Sequence, residues 1–274
     1  MRRRLATLAG TAIFALAFSV TPALAAGDGG GHHLTCAGGS IAPGTYDSIT
    51  VTGVCSVDAG SITVRHDLVV KAGAALIAAY GNSNVTVRHD LKVEKNGVLA
   101  LGCGLPSSAC FDDPANSDPT GQTLPTLSAV GTVGHDLKAD NALAVVVHHS
   151  SIGRNVIQQG GGGGLNCDLA MLGISPAYST YEDTTIGGNV SITGLRTCWL
   201  GFLDNTVGHN VTFNNNRTVV VEATGPDGNE IAANTIRGNL SCLNNDPAPQ
   251  VGDSGLALNV VGHRATGQCA GLKA

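Results

Sequence analysis

One hexapeptide recurs along this chain and restricts its fold more than any other feature. Residues 63–68 read Thr-Val-Arg-His-Asp-Leu, and residues 86–91 repeat them unchanged. Variants follow at 132–137, 151–156, 185–190, 206–211 and 235–240, and a degenerate copy lies at 260–265. The pattern is hydroxyl, β-branched, Gly or Arg, His or Gly, Asp or Asn, aliphatic. Its Asp/Asn column comprises Asp67, Asp90, Asp136, Asn155, Asn189, Asn210 and Asn239, with Arg264 in the last copy. The steps are 23, 46, 19, 34, 21, 29 and 25 residues, so the unit is about 20–25 residues. The step of 46 reads as two steps of 23 with a cysteine-bounded insertion between.

A unit of this size, repeated in register, is the mark of a solenoid, in which each copy stacks on the one before. The stretches flanking the motif are short Val- and Ile-rich alternations, such as residues 62–64 and 68–70, and Gly-bearing turns such as Lys71-Ala-Gly follow them. A sandwich or barrel also spaces strands closely, but its strands occupy non-equivalent places and need no recurring hexapeptide. The expected fold is therefore an all-β, single-stranded parallel β-solenoid (a right-handed β-helix) of about eight coils, braced by disulfides. At the usual strand spacing of roughly 4.8 Å, eight coils make a rod about 40 Å long. Composition agrees: 38 glycines without a period of three exclude collagen and disfavour long helices, and 43% hydrophobic residues exclude disorder.

Residues 1–25 have the pattern of a secretory signal peptide. Arg2, Arg3 and Arg4 precede an apolar stretch, and a small-residue site ends at Ala25. Residues 26–46 read as a Gly-rich segment with a first strand, and 47–274 as the solenoid, with inserted loops near 103–125 and 160–183. Cleavage would remove three arginines and no acids, taking the formal charge from −5 to −8. Such a chain lacks the basic footprint that nucleic acid or anionic lipid requires, and no second stretch is apolar enough to span a membrane. In an oxidising compartment the eight cysteines read as disulfides. Since each coil contacts its neighbours, the expected pairs are Cys36–Cys55, Cys103–Cys110, Cys167–Cys198 and Cys242–Cys269.

Aliphatic positions such as Val64 and Leu68 are expected to fill the core. The column His66, His89, His135, Arg154, Gly188, His209, Gly238 and His263 ranges from Gly to Arg, so it reads as an exposed corner. The adjoining Asp/Asn column suits a corner as well: these residues tolerate left-handed backbone, bond their own main chain, and when stacked bond coil to coil. A metal ladder is disfavoured, because Arg154 and Gly188 interrupt the histidines and a corner column holds its side chains parallel. His32-His33 and His148-His149 read as solvated loop. Asn84, Asn189, Asn210, Asn216 and Asn239 begin glycosylation sequons, three of them generated by the repeat itself.

For catalysis, Asp112, Asp113 and Asp118 are the acids nearest a plausible cleft, but they sit in a Pro-, Ser- and Asp-rich loop and no nucleophile elbow or metalloprotease motif accompanies them. Tyr178, Tyr181, Trp199 and Phe202 read as a hydrophobic plug under the Cys167–Cys198 loop. The five glycines 160–164 read as a flexible exposed crossing.

The Ile-Gly-Gly-Asn-Val and Thr-Val-Gly-His-Asn-Val units resemble the repeats of the polymer-forming, bactofilin-type domain over roughly residues 47–265, and more broadly the right-handed parallel β-helix families. The resemblance implies the fold. A signal peptide, eight cysteines and long insertions set this chain apart from those scaffolds, which are typically cytoplasmic or membrane-associated. The function expected is that of a structural or interaction protein at the cell envelope or outside the cell, acting by self-association or by binding a wall polymer, with no cofactor. The alternative is a polysaccharide-degrading lyase or hydrolase.

Overall fold

A computed structural model describes residues 32–79, 82–103, 129–167, 177–219, 221–222, 225–226, 228–252 and 256–274. The expected signal peptide, Cys110 and the acids Asp112, Asp113 and Asp118 lie outside the described residues. Within them the chain winds through three parallel sheets of ten, eight and nine strands, and strands adjacent in each sheet are typically three apart in sequence. One coil is formed by Ser48–Val51, Val54–Ser56 and Ala59–Val64, and the next by Leu68–Val70, Ala75–Ala78 and Asn82–Val87. Copies stack in register, with Ile49 on Leu68, Cys55 on Leu76 and Ile62 on Val85. The fold is a parallel β-solenoid with three faces. A two-stranded antiparallel ribbon, Val221–Glu222 with Gly225–Pro226, stands apart from the sheets.

Several boundaries differ from expectation. Among the described residues the stack begins at His33–Cys36, which pairs with Ser48–Val51, so residues ahead of 47 already form a coil. Among the described residues the three faces hold ten, eight and nine strands, in keeping with about eight coils plus the added N-terminal strands. The 46-residue step is a single coil: Leu91 pairs directly with Leu137, and Val98–Leu101 and Val130–Val133 are the described second- and third-face strands between them. Of the loop expected at 160–183, Ser179–Glu182 is a coil strand paired with Leu200–Leu203.

The first and third faces alternate inward and outward, as in Leu68–Val70 and Asn82–Val87, and send aliphatic side chains into one continuous core. Each fully buried Val, Leu or Ile contributes roughly 1.5–3 kcal/mol. The second face departs from alternation: Val98–Leu101, Leu200–Leu203 and Asn229–Ala232 are buried at every position. Covered on both sides, such a strand reads as a continuous run. Tyr181, Phe202 and Phe213 are fully buried, with ring centroids 6.3 and 5.5 Å apart. Tyr181 and Phe202 are therefore core, and the plug reading is corrected for both. The phenol of Tyr181 donates to Gln158 Oε1, and Gln158 Nε2 donates to Ser179 Oγ, so the buried polar atoms are mutually satisfied.

The five-glycine run is also corrected. All five residues have positive φ, and their backbone is hydrogen-bonded on both sides: Gly162 N–H donates to Ala142 O, and Gly164 N–H to Arg196 O. A Cβ on Gly161 would lie 2.2 Å from Ala142 O. The run is an ordered corner that only glycine fits.

Candidate functional site

At the corner between the third and first faces the Asp/Asn column forms an unbroken ladder. Each side-chain Oδ1 accepts the backbone N–H of the equivalent residue one coil on, from Asp90 N–H on Asp67 (3.1 Å) through Asn210 on Asn189 (3.2 Å) to Arg264 on Asn239 (3.2 Å). The local reading of these residues is corrected: none has positive φ, and they serve the next coil's main chain rather than their own. Their work is to satisfy corner N–H groups that no strand pairs.

The choice between Asp and Asn follows from charge. Carboxylates one coil apart repel, and the three aspartates are interleaved with two lysines on the first face. Lys92 Nζ lies 2.6 Å from Asp67 and 3.8 Å from Asp90, and Lys138 Nζ lies 2.9 Å from both Asp90 and Asp136. Partial burial opposes the charged form of Asp67, but the Lys92 ammonium and the Asp90 N–H more than offset it, so its carboxyl lies below the usual range. The same balance, with Lys138 and Asn155 as donors, lowers Asp136. Beyond Lys138 the first-face column reads Ile157, Ser191, Thr212, Ser241 and Thr266. From Ile157 to Ser241 the ladder residue is asparagine, which accepts the same bond without a counter-ion, and beside Thr266 it is Arg264.

Beside the ladder the histidines stack. The His89 and His135 rings are 4.9 Å apart and nearly parallel. Among the described residues no group of three His, Cys, Asp or Glu could hold a metal ion. On the third face the hydroxyl of the motif makes an outward column of Thr45, Thr63, Thr86, Thr132, Ser151, Thr185, Thr206 and Thr235.

Two further ladders escaped the sequence reading. At the turn into the third face, Thr184 N–H donates to Asn205 Oδ1, Asn205 N–H to Asn234 Oδ1, and Asn234 N–H to Asn259 Oδ1. At the turn out of the first face, Leu195, Asn216 and Asn245 donate in turn to Asn216, Asn245 and Gln268. These ladders run opposite to the corner ladder, with the earlier coil donating, and their asparagines are buried. Left-handed Asn215, Asn244, Asp204 and Ala233 precede them. The missed signal was the Asn-Asn and Asp-Asn pairs at 215–216, 244–245 and 204–205. Asn216 Nδ2 donates to Ile192 O at 3.0 Å, so this sequon is closed to glycosylation in the folded chain.

His148 is corrected from solvated loop to a largely buried side chain at the end of a strand. It points outward from the second face, 3.7 Å from Glu182 Oε1, and among the described residues its Nε2 has no hydrogen-bond partner. Burial pushes His148 down to about 4. Burial also pushes the Glu182 carboxyl up, partly offset by the Thr180 hydroxyl that donates to it at 2.8 Å. The contact therefore joins two groups whose charged forms burial opposes, which is a poor ion pair. Tyr178 and Trp199 pack edge to face nearby in the chain, 5.8 Å apart.

Three disulfides fasten neighbouring segments: Cys36–Cys55, Cys167–Cys198 and Cys242–Cys269. The Cys103–Cys110 pairing falls partly outside the described residues. No described helix is long and apolar enough to cross a membrane. No protein-family model, curated protein or solved structure matches this chain.

Proposed function

We propose that this chain is an exported structural rod of the cell envelope or extracellular space that works through its surface by binding a wall polymer. The observation that carries this reading is the outward hydroxyl column, one Thr or Ser per coil from Thr45 to Thr235. Evenly spaced hydroxyls complement a partner that is itself periodic. The sequence supports export through its N-terminal pattern and its cysteines, and three disulfides are compatible with it. Binding is favoured over end-to-end assembly because the last coil is closed at one corner: Asn259 N–H donates to Leu272 O and Ala274 N–H to Asn259 O. That end of the stack thus offers fewer free strand groups to a second copy.

The test is co-sedimentation of the chain lacking residues 1–25 with insoluble, purified wall polysaccharide, beside sedimentation velocity of the protein alone. A monomer that pellets with the polymer supports the proposal. A protein that stays in the supernatant overturns it, and concentration-dependent filaments alone would replace it with self-association.

A further inference from the structure

We infer that the part of the surface carrying Thr185, Thr206 and Thr235 beside Asn189, Asn210 and Asn239 is a docking face for a neutral, extended polysaccharide lying along the rod axis. This rests on the wall-polymer reading above and specifies its ligand class and its place on the rod.

The two halves of this surface differ in charge. In the earlier coils the corner carries Arg65, Arg88, three aspartates and two lysines, and the acids and lysines are already bound to one another. A ligand there would compete with ion pairs for every group. From Thr185 to Asn239 the same columns hold hydroxyls and amides, with His209 and the single cation Arg237 between them. Thr185, Thr206 and Thr235 are exposed, and among the described residues none hydrogen-bonds their hydroxyls. Each asparagine amide spends one hydrogen on the previous coil, as Asn210 Nδ2 does on Asn189 Oδ1 at 3.2 Å and Asn239 Nδ2 on Asn210 Oδ1 at 2.9 Å. The second hydrogen is left to the outside.

The face thus presents paired rows of free neutral donors and acceptors that advance one coil, about 4.8 Å, at a time. A pyranose in an extended chain advances by a similar step and offers neutral hydroxyls at each. An anionic polymer gains little here, because Arg237 is the one cation in these columns between Thr185 and Asn239, Arg154 and Arg264 lie one coil beyond either end, and the whole chain is acidic. Glycine clears part of the space between the two rows: Gly187 and Gly188 fill it in the first of these coils, and a Cβ on Gly208 would lie 2.2 Å from Gly187 O, while His209 and Arg237 stand between the rows in the second and third coils. Solvent-exposed hydrogen bonds are individually weak, so short oligosaccharides should bind poorly and long chains should gain by engaging successive coils.

The experiment uses the chain lacking residues 1–25 in affinity electrophoresis against barley β-glucan, polygalacturonate and no polymer. It compares the wild type with the triple variants Thr185→Val/Thr206→Val/Thr235→Val and Thr63→Val/Thr86→Val/Thr132→Val. Valine keeps the strand shape and removes only the hydroxyl, and far-UV circular dichroism checks folding. The expected result is retardation by β-glucan, not by polygalacturonate, with at least a tenfold weakening in the first variant and less than twofold in the second. Retardation that neither variant changes, or both change equally, would overturn the assignment to this face while leaving polymer binding intact. Retardation by polygalacturonate alone would overturn the ligand class. No retardation by either polymer, together with no pelleting on wall polysaccharide, would sink the underlying reading as well.

Discussion

Replacing Asn234 by alanine should cost this protein several times more than replacing Asn210, although both are asparagines in a coil-to-coil ladder. Asn234 is fully buried. Its Oδ1 accepts from Asn205 N–H at 2.9 Å and Asn205 Nδ2 at 3.0 Å, and its Nδ2 donates to Phe202 O at 2.7 Å and Asn259 Oδ1 at 2.8 Å. In the variant the Asn205 N–H loses its acceptor inside the protein and the Phe202 carbonyl loses a donor. Each stranded buried group costs about 1–3 kcal/mol, so the expected loss is about 4 kcal/mol including the small void. Asn210 makes the equivalent bonds to Asn239 at 2.9 Å, but it is exposed, and water can take its place. Its loss should be about 0.5–1.5 kcal/mol. Guanidinium unfolding of both oxidised variants, followed by far-UV circular dichroism, reads the difference. Equal losses, or a loss below about 1 kcal/mol at Asn234, would refute the claim that the buried ladder satisfies otherwise stranded backbone.

Other outcomes follow from the same structure. Because burial holds the His148 pKa near 4 against an ordinary 6.5, the unfolded chain takes up a proton that the native state refuses. Stability should therefore fall by roughly 3 kcal/mol as pH drops through that window, and His148→Leu should flatten the slope in unfolding curves recorded between pH 4 and 7. Glu182, whose pKa is raised, works with the opposite sign: its contribution is lost as pH rises through its folded value, so Glu182→Gln should steepen the fall toward acid. At the corner ladder, Asp90→Asn keeps the acceptor for Asp136 N–H and should change stability by less than about 1 kcal/mol, whereas Asn189→Asp adds a carboxylate with no lysine beside it and should destabilise the fold in a salt-dependent way on thermal melting. Paired Cys242→Ser and Cys269→Ser changes should lower the unfolding free energy by about 3–4 kcal/mol, given the 27-residue separation those cysteines close.

The sequence disclosed those features that repeat with strict chemistry. The hexapeptide located the third-face strand, the corner and the start of the first-face strand wherever a copy occurs, from Thr63 onward, because all three must fit the same surroundings on each turn. It underdetermined what varies between coils. The 46-residue step could hide either a missing coil or an insertion, and only the pairing of Leu91 with Leu137 decides between them. The second face carries no recurring pattern, since strands buried on both sides show no alternation, and so His148, Glu182 and Tyr181 were read as loop or plug. The buried ladders of Asn205, Asn234, Asn216 and Asn245 had a signal in their paired Asx residues, but a polar pair in a turn looks the same in sequence whether it faces water or the core. Neighbour pairing of cysteines needed only the principle that a coil touches the next coil, and the three described bonds join segments 19 to 31 residues apart.

The central claim is that equivalent positions lie one coil apart, in parallel, along a single axis. Nuclear Overhauser contacts in the isotope-labelled chain test it most directly. The account predicts contacts linking Thr185 to Thr206 and Thr206 to Thr235, side-chain amide contacts between Asn189 and Asn210, and no direct contact between Thr185 and Thr235. Cross-strand Hα–Hα contacts of antiparallel pairing on any of the three faces, or the absence of the threonine contacts, would contradict it.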